Sequence, residues 1–514
     1  MANNSDIKKY LDKEGLKHFA SILGNYPDNA ILAAVIDAIS NTITENSRQY
    51  RAYIDSKMNE VREYVNSYHL ADMTINITMA DGSAVPDGVY VTVYNLDNGN
   101  VYANVQFTGS PIVLKDILVG FNYSVSVSEI DGYTADNKTG TITGDTNLVF
   151  SYESSGKIYG VSWKWATKDN TKLTRTGDAA SFADPVPYMS GSSSYGSPFD
   201  NIYPWSHMSI VEDPNAGTVV SIPKYWFKIT DTTDGIKIEI ANYAAEGFKV
   251  SPAHRDRGDG KGERDIVYVG RYCCDSTYKS TTGVKPKTRV TRSNFRNYIH
   301  KLGSNIYQID FAMFWTIRML YIVEFANWNS QKIIGYGSTT STSSSVMGYT
   351  DSMPYHTGTV LSSRSKYGVG TQYRYIEGLW DNIGEWCDGI YINANNNIYA
   401  IMNPNNFSDT NNGTLVGTRS SGDYGYIYRW GISTVDGFDW VLYPASIKTS
   451  ETASSMFVTD FYGYYNNSNT GKNVVLYTSS SGSATKQRSG IFSLSECYYS
   501  YSNNSVGSRL MVLP

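Results

Sequence analysis

The sequence predicts a multidomain α+β protein in three pieces: an N-terminal helical stalk over residues 1–71, a small β-sandwich over 72–154, and a large mixed domain over 155–514. Three observations predict it. Apolar residues recur at helical spacing up to about Leu70, the period switches to strict alternation near Asp72, and beyond Ser155 the chain is irregular and rich in tryptophan and glycine. At 514 residues the chain is also too long for one ordinary hydrophobic core.

In the first piece, Ile7, Leu11, Leu16, Phe19 and Leu23 form one apolar stripe that stops at Gly24 and Pro27. A second helical pattern starts after Asp28 and runs to Tyr68 without glycine or proline. Its apolar positions Ile36, Ile39, Ile43, Tyr50, Ile54, Met58, Val61, Val65 and Tyr68 approximate a heptad seam. A helix of this length with one narrow stripe is poorly stable alone, so the seam is expected to close on copies of itself as a homotrimeric coiled coil; a fold-back hairpin is the alternative.

In the second piece, apolar and polar residues alternate between turn signals at Asp81-Gly82, Asp97-Asn98-Gly99 and Asp131-Gly132, giving about seven short strands. This stretch resembles the immunoglobulin-like and collagen-adhesin B-type spacer modules of surface and fibre proteins, which extend reach; no binding residue is assigned to it. In the third piece, helices are expected after Thr291 and around Phe311 to Phe325, the latter apolar on nearly every side and therefore buried.

Composition narrows function. Tyrosine, at 43, exceeds Phe (17) and Trp (10) together, and only 18% of residues are charged, so the aromatic content favours the residue suited to wet surfaces. A net charge of -5 without a basic run argues against nucleic acid. No apolar run is long enough to span a membrane, and the opening MANNSDIKKYLDKEG lacks the layout of a signal peptide. Cys273, Cys274, Cys387 and Cys497 are too few and too scattered for a disulfide scaffold or a zinc site; they are expected to be reduced, with Cys387–Cys497 the open pairing.

Two motifs carry the sharpest local signal. GLWDNIGEWCDGIYI (378–392) resembles a segment of the C-type lectin fold used by formylglycine-generating enzymes and phage tropism determinants, and GSRLMVLP (507–514) resembles that family's closing strand. Trp380, Trp386 and a buried Arg509 are then architectural. With SPFDNIYPW (197–205), SIPKYWFKI (221–229), residues 247–272, FANWNSQKIIGYG (325–337) and KKYLDKEGLKHF (8–19), the chain resembles phage tail-fibre adhesins whose receptor-facing surface is sometimes diversified by a retroelement.

That resemblance implies a virion protein, made in the host cytoplasm. It would bind a bacterial surface receptor, glycan or protein, and dock on other phage structural proteins through its N-terminus, with no cofactor, no nucleic acid and no membrane insertion. The implied receptor contacts are Tyr462, Tyr464, Tyr465, Asn466, Asn467, Asn469, Tyr477, Tyr498, Tyr499, Tyr501, Asn503 and Asn504. Tyrosine brings a rigid amphipathic surface and asparagine adaptable hydrogen bonds. Lys472, Lys486 and Arg488 depart from the family pattern and point to a negatively charged receptor. Val474, Val475, Leu476, Ile491, Phe492, Leu494, Leu510 and Val512 would hold the loops from within.

Other functions are weaker alternatives. One is a structural decoration or connector without receptor binding; another is a formylglycine-generating type of enzyme. Catalytic candidates are a Cys387/His356 pair, one of many accidental pairings, and a Glu385/Asp388 pair, read as structural because the two stand three residues apart in a tight turn motif. The loop HRDRGDGKGERD (254–265) is read as a salt-bridged surface loop. A calcium site at Asp256, Asp259 and Glu263 is the remaining alternative, and the Arg257-Gly258-Asp259 triplet is a chance mimic of an integrin tripeptide.

Overall fold

The computed structural model describes residues 48–66, 69–80, 82, 84–130, 133–154, 156–164, 172–232, 234–337, 344–364, 368–410, 412–419, 425–448, 460–463, 474–478 and 490–514. Two compact units divide at Glu153 and Ser154.

In the first unit, the strand Leu70–Met79 (LADMTINITM) shows how alternation becomes a sheet face. Ala71, Met73, Ile75, Ile77 and Met79 are buried while the residues between them face outward. It pairs antiparallel with Ile112–Leu118 and parallel with Thr146–Ser154. A second sheet, centred on Tyr90–Asn95 and Asn122–Val127, contributes Val91, Val93, Tyr123 and Val125 to the same core. Two four-stranded sheets thus share one apolar layer, a β-sandwich of eight strands.

The second unit is organised around one helix. The described helices are α1 (Arg48–Asn66), α2 (Arg292–His300), α3 (Phe311–Phe325) and α4 (Ser330–Ile333). All fifteen residues of α3 are buried. Asp310 caps its start by accepting from the Met313 amide and also pairs with Arg257, both groups buried. At its other end Arg175 donates to the free carbonyls of Val323 (2.9 Å) and Glu324 (2.6 Å), which is where a cation is favoured by the helix dipole. Arg318 in mid-helix lies over the rings of Phe314 and Trp315 and donates to the Ile491 carbonyl at 2.7 Å, so α3 also grips the C-terminal segment.

Around α3 stand four sheets, the largest of nine strands built on Gly384–Ile392, in which every residue is buried. This strand breaks register between Cys387 and Tyr391 in a bulge, with Gly389 at φ +69. A bulge takes carbonyls off the ladder. Arg292 of α2, itself 0% exposed, collects them, donating to Cys387 O at 2.8 Å and Ile390 O at 2.5 Å. The bulge also presents Asp388 to Arg296, which grips it at 2.6 and 2.8 Å.

The chain end is pinned by Arg509. Its guanidinium pairs with Glu385 at 2.7 Å and donates to the carbonyls of Gly270, Arg271 and Glu377 at 2.6 to 2.7 Å, both side chains being fully buried. The strand that follows, Leu510–Val512, lies between Ile266–Gly270 and Ile306–Gln308.

Three expectations are corrected. The chain is not α+β: thirty-one strands in six sheets stand against four α-helices among the described residues. The expected helices after Thr291 and over 311–325 are present, but the irregular sequence around them pairs as strands of two to nine residues, many of them too short for a period to show. No coiled-coil stalk is present among the described residues. The one helix there has 19 residues, under half the run expected, and residues 1–47 and 67–68 lie outside the described residues. The lectin-like α+β domain is likewise replaced by β-sheets around one buried helix.

Arg509→Met strands the buried Glu385 carboxylate and three carbonyls, and is expected to cost about 3–5 kcal/mol. A denaturant midpoint unchanged from that of the parent protein would refute this account of the chain end.

Candidate binding surface

The described part of the Tyr/Asn-rich terminus holds five strands, with one turn at 499–504 between the third and the fourth. Leu494–Tyr498 pairs antiparallel with Val474–Thr478 and parallel with Phe461–Gly463, and Val474–Thr478 pairs in turn with Gly384–Ile392. Ile491, Phe492, Leu494, Leu510 and Val512 are buried. Beyond Tyr498 the chain turns through 499–504 and returns to pair Val506–Gly507 with Gly384 and Glu385.

Both flanks of this turn are fixed. The Tyr501 amide donates to Tyr498 O at 2.9 Å, and the Arg289 amide to Asn503 O at 3.0 Å. The Asn503 side-chain oxygen accepts from the Ser505 amide (3.0 Å) and hydroxyl (3.1 Å), an Asx-type closure. Tyr501 rests edge-on against buried Trp386 with centroids 6.3 Å apart, and Tyr498 stands edge-on to Tyr501 at 5.7 Å. Tyr499, at the outside of the turn, is 40% exposed. The turn is therefore a preformed aromatic tip with hydrogen-bonding neighbours.

The structure thus brings Tyr498, Tyr499, Tyr501, Asn503 and Asn504 together in one turn. Tyr477 sits opposite Trp386 and Ser495 in the strand register. Tyr462 is corrected: it is 0% exposed and its hydroxyl donates to Glu496, which also pairs with buried Arg419 at 2.9 Å, so Tyr462 braces the surface from inside. Tyr464, Tyr465, Asn466, Asn467 and Asn469, with Lys472, Lys486 and Arg488, lie outside the described residues.

Sequence reasoning missed Tyr278 and Tyr298, from a segment 200 residues upstream in no way marked by composition. Their rings stack at 4.8 Å, Tyr298 is 40% exposed, and Tyr278 packs on the same cluster as Tyr501. It also missed Asp460, which opens the strand Phe461–Gly463. Fully buried, Asp460 accepts from the Phe492 amide and from Gln331, each at 2.8 Å, and burial pushes its pKa up to about 7.

The catalytic candidates are engaged by other side chains. Glu385 is engaged by Arg509, and Asp388 by Arg296. The four cysteines are free and buried, their thiols pushed up by desolvation, so the open Cys387–Cys497 pairing is not formed. His356 bonds Asp200 and Thr357 rather than Cys387. In the loop 254–265, Arg257 is buried against Asp310 and Asp259 is held by Arg264, so the tripeptide is not displayed and Asp259 already has a cationic partner. Among the described residues no cluster of three or more acidic, histidine or cysteine side chains is arranged to hold a metal.

The sequence matches no protein-family model and no curated protein. Among solved structures, the minor pilin GBS52 of Streptococcus agalactiae is similar at 14% identity and a TM-score of 0.15, over 17% of this chain and 45% of that one. The full-length major pilin SpaD of Corynebacterium diphtheriae is similar at 13% identity and a TM-score of 0.17, over 39% of this chain and 61% of that one. Likeness this slight leaves the fold to the strands themselves.

Asp460 sets a pH dependence. Its native pKa of about 7 lies above its ordinary 3.8, so the folded state holds the extra proton and this group's contribution to stability falls as pH rises through that window. Asp460→Asn is expected to flatten the decline in stability between those two values; denaturation curves with the parent slope would contradict the assignment.

Proposed function

We propose that this chain is the attachment protein of a phage particle and contacts a bacterial surface receptor through the turn at 498–504. The observation that carries the reading is a 40%-exposed Tyr499 on a turn fixed at both flanks: Leu494–Tyr498 is paired between Val474–Thr478 and Phe461–Gly463, and Val506–Gly507 is paired with the fully buried strand Gly384–Ile392. A preformed tip loses little conformational freedom on binding, so its aromatic contact is converted to affinity with small entropic cost. The sequence resemblance to phage tail-fibre adhesins supplies the partner class. The β-sandwich of the first unit suits a spacer, since its core is self-contained.

Tyr499→Ala removes the exposed ring without touching the core, and Tyr501→Ala removes the ring that rests on Trp386. Each is expected to weaken adsorption of the purified chain to host cells by on the order of 2 kcal/mol, about thirtyfold. Tyr499→Ala should leave the Tm unchanged. Parent-level adsorption by the folded Tyr499→Ala protein would sink the proposal.

A further inference from the structure

A second site lies in the same unit, away from the segment used above. The strands Thr371–Tyr373 and Ile376–Glu377 form a hairpin in which Tyr373 pairs with Ile376, leaving Arg374 and Tyr375 as a two-residue turn. Both have positive φ, +44 and +68. Turns of this kind are normally occupied by Asn-Gly or similar residues, because a side chain is strained there. Two large residues held in that conformation mark a place where their side chains are wanted.

The turn borders a cavity of about 180 Å³ lined by Asp200, Trp205, Tyr355, His356, Arg374 and Tyr375. Arg374, 2% exposed, is fixed from behind by Glu324 of α3 at 2.5 Å and reaches Asp200 at 3.1 Å. Asp200 also accepts from Tyr355 OH at 2.7 Å and from His356 at 2.9 Å. Burial alone would raise the Asp200 pKa, but His356, Tyr355 and Arg374 together bring it down to about 2, so it stays a carboxylate; burial lowers His356, which stays neutral. The rings of Tyr355 and Tyr375 flank His356 at 4.0 and 5.4 Å.

Charge selects the ligand. Asp200 and Glu324 together outweigh Arg374, so an anion is disfavoured, while the carboxylate is already shared among four donors, the Ser197 amide, Tyr355, His356 and Arg374, and is a poor seat for a cation. A neutral polyol fits: hydroxyls both donate and accept, the carboxylate and its ring-bearing partners offer both, and the tyrosine faces suit the C–H face of a pyranose. We propose that this cavity binds one neutral monosaccharide unit. The proposal stands independently of the turn at 498–504.

The test titrates the full chain with the methyl glycosides of glucose, galactose and mannose, with N-acetylneuraminic acid and methylammonium as charged controls, read by saturation-transfer NMR. Saturable binding of at least one neutral glycoside is expected. Tyr375→Gly should lower its affinity by about tenfold or more with an unchanged circular-dichroism melt, since glycine relieves the positive φ. Tyr355→Phe, which removes a hydroxyl from the cavity wall while keeping the ring, should also weaken binding, and Tyr499→Ala should leave it intact. The proposal is overturned if none of the three glycosides binds, if only a charged control binds, or if both pocket variants bind as the parent does.

Discussion

The second unit depends on one buried ion pair. Arg509 and Glu385 lie 2.7 Å apart with no exposure, and the guanidinium spends its remaining donors on three carbonyls from two other segments. A buried pair gains little net free energy over an apolar substitute, because two ions must be desolvated. Its effect is on register instead. The alignment of the last eight residues that brings the guanidinium to Glu385 and the three carbonyls together also places Leu510–Val512 between Ile266–Gly270 and Ile306–Gln308. It also fixes Val506–Gly507 against Gly384 and Glu385, from which the turn at 498–504 emerges.

A similar economy recurs wherever the β-structure is interrupted. Short strands and bulges leave carbonyls without ladder partners, and an unpaired buried carbonyl is costly. Here arginine supplies the donors. Arg292 fills the bulge at Cys387 and Ile390, Arg175 the end of α3, and Arg318 the carbonyl of Ile491. A planar group with five donors reaches several carbonyls at once, which lysine does not. Rigidity of this kind suits a protein that presents side chains in fixed positions, whether at Tyr499 or around the cavity at Arg374.

Much of the core was legible in the sequence, and much of the topology was not. The alternation over 70–79 announces a strand with one buried face, and the all-apolar run at 311–325 announces a buried helix, because both signals are local and strong. Strands as short as Gly358–Thr359 or Ile376–Glu377 carry no period at all, so the β-rich character of the large unit was missed. A heptad-like spacing was over-read at the N-terminal end, where the described helix covers only Arg48–Asn66. At the candidate surface, composition points to the terminus but does not separate Tyr462, buried on Glu496, from Tyr499, exposed on its turn.

By itself the sequence determined the alternating sandwich, the buried central helix, an Arg509 that had to find acceptors, and a tyrosine-rich end suited to contact. These follow from side-chain chemistry and local periodicity, which act over a few residues. Only the tertiary structure decided which tyrosines face outward, which carboxylates are consumed by arginines, and that Arg374 and Tyr375 meet Asp200 across some 170 residues of chain. Those outcomes depend on pairings between distant segments, and the free energy of each pairing is set by burial and by the partners that folding brings, neither of which a linear pattern contains.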